Sequence, residues 1–255
     1  MNLEPDDQLM HSSSLTKFRK LRLNNEDILE ELLSEIVAQA VDKGLIKSKT
    51  LIIDATHTKS KYSIQTPIEI LRDVSKNRRK QLYHYVPQIK DSVPKKLHST
   101  ASLEEAVAYT QELIHFAYDY TGENPSRKKA TEKALTVLKD DAYQRILSVS
   151  DQEAKMGYKS SSESFAGYKS HLAITEERVI TAIEVTTGEV SDGKYLTTLV
   201  EKSKNNAIEV KEILADAAYS SKDNLEYMEK EDITAVTPLN PIVLNGGKRE
   251  TEGFE

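Results

Sequence analysis

The chain contains no cysteine and no tryptophan, and only 4 phenylalanines, 7 prolines and 9 glycines among its 255 residues. Without cysteine, disulfides and thiolate-ligated zinc are excluded outright. Apolar residues make up 38 % of the chain and charged residues 30 %, which is lean for a compact globule. Long helices with one solvated face explain this better than disorder, because the polar stretches keep helical periodicity. No apolar run approaches the roughly 20 residues that span a bilayer. The start, Met1-Asn2-Leu3-Glu4-Pro5-Asp6-Asp7, lacks the apolar centre of a secretory signal. No membrane partner and a cytoplasmic location follow as expectations. Glycine-rich phosphate loops and Gly-x-Ser-x-Gly elbows are also missing, and the histidines do not fall at zinc-ligand spacing.

The formal net charge is −6. Taken as a total, it argues against a nucleic-acid binder. The positive charge is clustered, however, at 17–22, 76–80, 95–96 and 127–129, and phosphate contact needs a local basic face rather than a basic total. Solvated helix faces balanced by glutamate are the plainer reading of any one cluster.

Along the chain, residues 25–43 place Ile28, Leu29, Leu32, Leu33, Ile36, Val37, Ala40 and Val41 on one helical stripe that Gly44 stops. Residues 49–54 form a short apolar strand, and 56–66 are polar, as a loop or edge extension would be. A helix is expected over 67–85, opened by Pro67, and a proline-containing linker over 86–99. Ser102-Leu103-Glu104-Glu105 is a capping box for a helix to about Tyr120, and 126–148 read as a second long helix, so that the two pair as a hairpin. Beyond Ser164 the period changes: strands at 167–175 and 178–186, a loop at 188–193, a helix at 194–205, a strand at 208–216, a helix at 221–230 and a strand at 233–237.

The most informative features are the two runs Leu51-Ile52-Ile53-Asp54-Ala55-Thr56-His57-Thr58 and Glu212-Ile213-Leu214-Ala215-Asp216-Ala217-Ala218-Tyr219. Each is an apolar strand that stops on an aspartate. Such a strand delivers its carboxylate to the sheet edge where ligands collect in α/β folds. Two of them on neighbouring strands suit a shared divalent metal and phosphoryl-transfer chemistry. Taken singly, each aspartate is equally a cap for the turn that follows.

These runs stand in a fixed order with Ser12-Ser13-Ser14-Leu15-Thr16-Lys17-Phe18-Arg19-Lys20, Lys59-Ser60-Lys61-Tyr62, Ser150-Asp151-Gln152-Glu153-Ala154-Lys155 and Gly167-Tyr168-Lys169-Ser170-His171. In that order they resemble the DDE transposases of bacterial insertion sequences over nearly the whole chain. The resemblance implies an α/β, RNase-H-like mixed sheet flanked by helices, with a helical insertion between the first and second strands. It divides the chain into an N-terminal basic segment and amphipathic helix (1–48), a catalytic core (49–66 and 149–240), the insertion (67–148) and a tail (241–255). It implies Asp54 and Asp216 as catalytic metal ligands for Mg²⁺ or Mn²⁺, transposon-end and target DNA as partners, and a homo-oligomer when full length. Lys17, Arg19, Lys20, Arg22, His57, Lys59, Arg78 and Arg79 are the candidate DNA contacts, although a solvated loop is as good a reading for His57 and Lys59. For Asp151 and Glu153, ordering of their loop ranks above an accessory acid role. His171 reads as a core or edge histidine, Asp192-Gly193 as a turn, and Tyr168 and Tyr219 as packing.

The family's third acid, a glutamate on a later helix, has no evident counterpart. Glu226, Glu229 and Glu231 come too early after Asp216, and Glu250, Glu252 and Glu255 lie in a glycine-containing tail. The expectation is therefore a transposase fragment with an incomplete acidic set, or a non-catalytic relative that binds DNA or full-length transposase and modulates it.

Overall fold

The helical stripe after position 25 folds as α1 (Glu26–Asp42). Gly44, at φ +64, closes it by letting the chain reverse so that the Gly44 and Leu45 amides donate to the carbonyls of Val41 and Ala40. The computed structural model describes residues 11, 13, 14, 16–18, 26–120, 125–159 and 162–240. The remaining elements are β1 (Thr50–Lys59), α2 (Pro67–Tyr85), α3 (Leu103–Asp119), α4 (Pro125–Leu138), β2 (Lys155–Tyr158), β3 (Ser164–Thr175), β4 (Ile180–Thr187), α5 (Leu196–Asn205), β5 (Glu212–Ala215), α6 (Lys222–Lys230) and β6 (Thr234–Val236).

The strands form one mixed sheet in the order β2-β3-β1-β5-β6, with β4 also paired to β3. β1 and β5 run parallel, as do β5 and β6, whereas β2 and β3 are antiparallel. Strands β1, β3, β4, β5 and β6, with α5 and α6 between the later ones, follow the order of an RNase-H-like core. The helices α2, α3 and α4 fall between β1 and the next strand, as the insertion was expected to.

By contacts the chain divides into two units, residues 1–56, 170–185 and 191–255 in one and residues 57–169 and 186–190 in the other. The first has its own core, built from Leu51 and Ile53 of β1, Ala173, Ala182, Ile213, and the inner faces of α5 and α6, including Leu196, Leu199, Val200 and Met228. α1 adds Val37 and, partly buried, Leu33 and Val41, but Leu29, Leu32 and Ile36 of the same stripe are exposed. Inside this core Thr181 and Ser203 satisfy each other's hydroxyls at 2.7 Å, so neither polar group is left orphaned.

The second unit packs Ile70, Leu71 and Val74 of α2 against Ala106 and Ile114 of α3 and Ala134 and Val137 of α4. The capping box at Ser102 and Glu105 is present, with both reciprocal bonds formed. The long helix expected over 126–148 stops at Leu138, and a 3₁₀ segment follows in which Asp140 and Asp141 take left-handed φ values of 49° and 53°. Aspartate tolerates that region better than most residues. β2 was not anticipated at all. It has four residues, of which only Gly157 is fully buried, and it exists through its ladder to residues 164–167 of β3.

Candidate active site

Asp54 and Asp216 come together through the parallel ladder of β1 and β5. The register pairs Ile53 with Ala215, so the two aspartates occupy the next rung, on strands spaced about 4.8 Å apart. Both are exposed. Asp216 keeps extended backbone (φ −78, ψ 176), and its Oδ1 accepts the Ala218 amide at 2.9 Å as the cap of the 3₁₀ turn Ala217–Tyr219. Asp54 Oδ1 accepts the Ala55 amide at 2.8 Å. One oxygen of each carboxylate is thus oriented by the backbone. The capping role and the strand-end role coexist at Asp216.

Sequence reading missed a third acid near this pair. Asp192 opens a second 3₁₀ turn, Asp192–Tyr195. This turn lies directly against the turn that follows Asp216: a Cβ placed on Gly193 would meet the Ala218 carbonyl oxygen at 2.4 Å. The buried amide of Asn224 joins them, its Nδ2 donating to the carbonyls of Gly193 at 2.8 Å and Tyr219 at 2.9 Å. His171, fully buried on β3, stands with Nδ1 3.9 Å from Asp192 Oδ1 and its ring stacked on Tyr195 at 4.8 Å.

Tyr219 reports on the convergence. Its ring is buried, as packing required, and its hydroxyl makes no hydrogen bond among the described residues. Burial first, and then the carboxylates of Asp192, Asp216 and Asp54, push its ionisation well above the ordinary tyrosine value. The phenol therefore stays protonated and offers a donor toward the acidic cluster.

β1 does not stop at Asp54 as the sequence suggested but runs on to Lys59, so the pair is one mid-strand carboxylate and one just past the end of β5; two such neighbouring carboxylates are a suitable donor set for a hard divalent cation that retains several waters. Among the described residues, no three His, Asp or Glu side chains converge closely enough to hold a metal ion by themselves. Two of the glutamates after β5 are engaged elsewhere: Glu226 pairs with Lys222 at 3.4 Å, and Glu231 with Lys204 at 2.8 Å. Glu250, Glu252 and Glu255 lie outside the described residues.

The candidate DNA contacts fare differently. Arg19, Lys20 and Arg22 lie outside the described residues, and Lys17 is exposed. Lys59 is exposed at the end of β1, and the half-buried His57 sets its ring edge-on to Phe165 at 4.7 Å. Arg78 and Arg79 do not form the exposed basic face expected of them: they are 5 % and 8 % exposed. Both lie on the inner stripe of α2 with Leu71, Val74, Ser75 and Leu82. Arg79 donates to Tyr109 Oη at 2.8 Å and to the Pro94 carbonyl. Of their cluster, Lys76 and Lys80 remain exposed. Asp151 orders its loop, accepting from Ser60 Oγ at 2.5 Å and from the Tyr168 hydroxyl. These bonds hold the Asp151 carboxyl below its usual range and push Tyr168 up to about 12.

No helix among the described residues is long and apolar enough to cross a membrane. No curated protein and no solved structure matches the chain. The family profile described as the transposase DDE domain does match, over residues 121–252, just over half of the chain. That segment holds His171, Asp192, Asp216 and Tyr219, while Asp54 precedes it. With an RNase-H-like strand order and an aspartate pair on neighbouring parallel strands alongside that match, the chain belongs to the transposase DDE domain family.

Proposed function

We propose that this chain acts on DNA in transposition, through divalent-cation-dependent phosphodiester cleavage and strand transfer, with Asp54 and Asp216 as the cation's carboxylate ligands. The observation that carries this reading is the ladder register that sets Asp54, midway along β1, beside Asp216, just past the end of β5. Mg²⁺ or Mn²⁺ bound there would neutralise phosphate charge and activate the attacking oxygen. Asp54 and Asp216 would hold the cation, each carboxylate having one oxygen tied to a backbone amide. Asp192 adds negative charge beside them, and the Tyr219 hydroxyl provides a fixed donor. Transposon ends and target DNA are the substrates, and more than one copy assembles on them in the cytoplasm.

A labelled transposon-end duplex incubated with Mg²⁺ or Mn²⁺ tests this. Slow nicking is expected, since a positioning error of about 1 Å can reduce the rate ~100-fold and only two carboxylates pair by register. Either Asp54→Asn or Asp216→Asn should abolish it. Nicking that survives both substitutions refutes the assignment.

A second reading has one observation in its favour, the absence of any three-ligand group among the described residues. Under it, the chain binds DNA or a catalytically complete transposase without cutting. Tight DNA binding with no nicking in Mn²⁺ would support it.

A further inference from the structure

The helical unit contains an open cavity of about 630 Å³ that the metal pair does not use. Asn77, Lys80, Gln81 and His84 line it from one face of α2, at the i, i+3, i+4, i+7 spacing that puts residues on one helical stripe. Lys133 of α4 faces it from the other side, and no aspartate or glutamate among the described residues lines it. In a chain of net charge −6, an acid-free wall carrying Arg78, Lys80 and Lys133 is a local inversion of charge.

Arg78 is the decisive residue. Its side chain is buried, and its Nη atoms donate to the neutral oxygens of Thr131, at 2.6 Å, and Gln81. Its Nε has no partner among the described residues. Among the described residues no carboxylate acts on it, and burial draws its ionisation below the ordinary arginine value. A guanidinium taken out of water without a counter-ion is strongly unfavourable unless an anion completes it. At the same cavity Tyr62 and Tyr85 are 39 % and 43 % exposed, and the Arg127 guanidinium lies 4.5 Å from the Tyr85 centroid. Cations beside open aromatic faces are what a phosphate with an attached base requires.

We propose that this cavity binds a nucleotide unit of a single DNA strand, with its phosphate at Arg78, Lys80 and Lys133 and its base stacked on Tyr62 or Tyr85. The proposal rests on the reading of the chain as a DNA-acting protein, and it places a strand-holding site in the helical insertion rather than at the aspartates.

Fluorescence anisotropy with a labelled single-stranded oligonucleotide tests it, with unlabelled deoxyadenosine monophosphate and inorganic phosphate as competitors. The exposed pair Lys80→Gln/Lys133→Gln should weaken binding about tenfold at low salt. It should also lower the slope of log affinity against log salt by about 0.7, the value for the one phosphate that both lysines contact. Tyr62→Ala should weaken binding by about tenfold as well. Arg78→Lys retains charge but not the fork and should fall in the same direction. Oligonucleotide affinity that is indifferent to the lysine pair and to Tyr62→Ala overturns the proposal, and so does a mononucleotide that binds as tightly as the strand. Mn²⁺ titrations on the same proteins separate the two readings. Mn²⁺ binding lost in Asp54→Asn while strand binding ignores the cavity variants sinks the cavity alone. Strand binding that follows the cavity variants while Mn²⁺ ignores Asp54→Asn sinks the metal pair alone.

Discussion

Asn224→Ala should loosen the candidate active site without touching a carboxylate. The Asn224 side chain is buried, and its two N–H groups go to carbonyls of different turns, Gly193 beside Asp192 and Tyr219 beside Asp216. Each bond contributes about 1 kcal/mol net, and a buried carbonyl left unmatched adds more. The substitution should therefore destabilise the protein by about 2–4 kcal/mol. At roughly 2–4 °C per kcal/mol for a chain of this size, the melting temperature should drop by about 5–15 °C. Urea denaturation checks this directly, since the midpoint should fall at constant slope. Asn224→Asp distinguishes hydrogen bonding from packing. It keeps the volume but aims a carboxylate at two carbonyl oxygens, and it should be at least as damaging as alanine. A loss below about 0.5 kcal/mol for both variants, the range of ordinary surface changes, would refute the claim that this amide holds the two turns together.

Gly193→Ala forces a Cβ to 2.4 Å from the Ala218 carbonyl oxygen; a loss of about 1–3 kcal/mol and weaker Mn²⁺ binding are expected, measured by urea midpoint and titration. Tyr219→Phe removes a buried hydroxyl that has no partner among the described residues; the metal-free protein should be as stable or more stable by about 1 kcal/mol, and a marked loss in calorimetry would show that the hydroxyl is bonded. Glu177 receives the Lys47 and Ser48 amides at 2.9 and 2.8 Å, which lower its pKa from 4.5 to about 2. Because the folded value is the lower one, its stabilisation is complete above about 4.5 and is lost as pH falls from there through about 2. Glu177→Gln should flatten the acid side of the stability profile in that window, and an unchanged profile would show that the bonds do not persist in solution.

Much of the architecture could be read from sequence because it is local. The capping box at Ser102, the glycine after α1 and the apolar strand runs before Asp54 and Asp216 all act within a few residues, although β1 does not stop at Asp54 as expected but continues through the polar residues to Lys59. β2 could not be read, since Lys155–Tyr158 lies in a polar stretch and is a strand only through pairing with β3. The early end of α4 was hidden for a similar reason, because the helical pattern continues past Leu138 while the backbone turns at Asp140 and Asp141. Asp192 resembles any turn aspartate. It reaches the aspartate pair through the packing of two turns that are distant in sequence. The burial of Arg78 and Arg79 was legible in principle. They continue the stripe Leu71, Val74, Ser75 toward Leu82, and that periodicity outweighs membership of a basic cluster.

Whether Asp54 and Asp216 share one divalent cation is tested most directly by Mn²⁺ binding followed by electron paramagnetic resonance. The wild-type chain should bind one high-affinity Mn²⁺. Asp54→Asn and Asp216→Asn should each weaken it at least about tenfold, or roughly 1.4 kcal/mol, and the double variant should bind no more weakly than the sum of the two predicts, because both act on the same ion. Mn²⁺ affinity left unchanged by either single substitution would contradict the account.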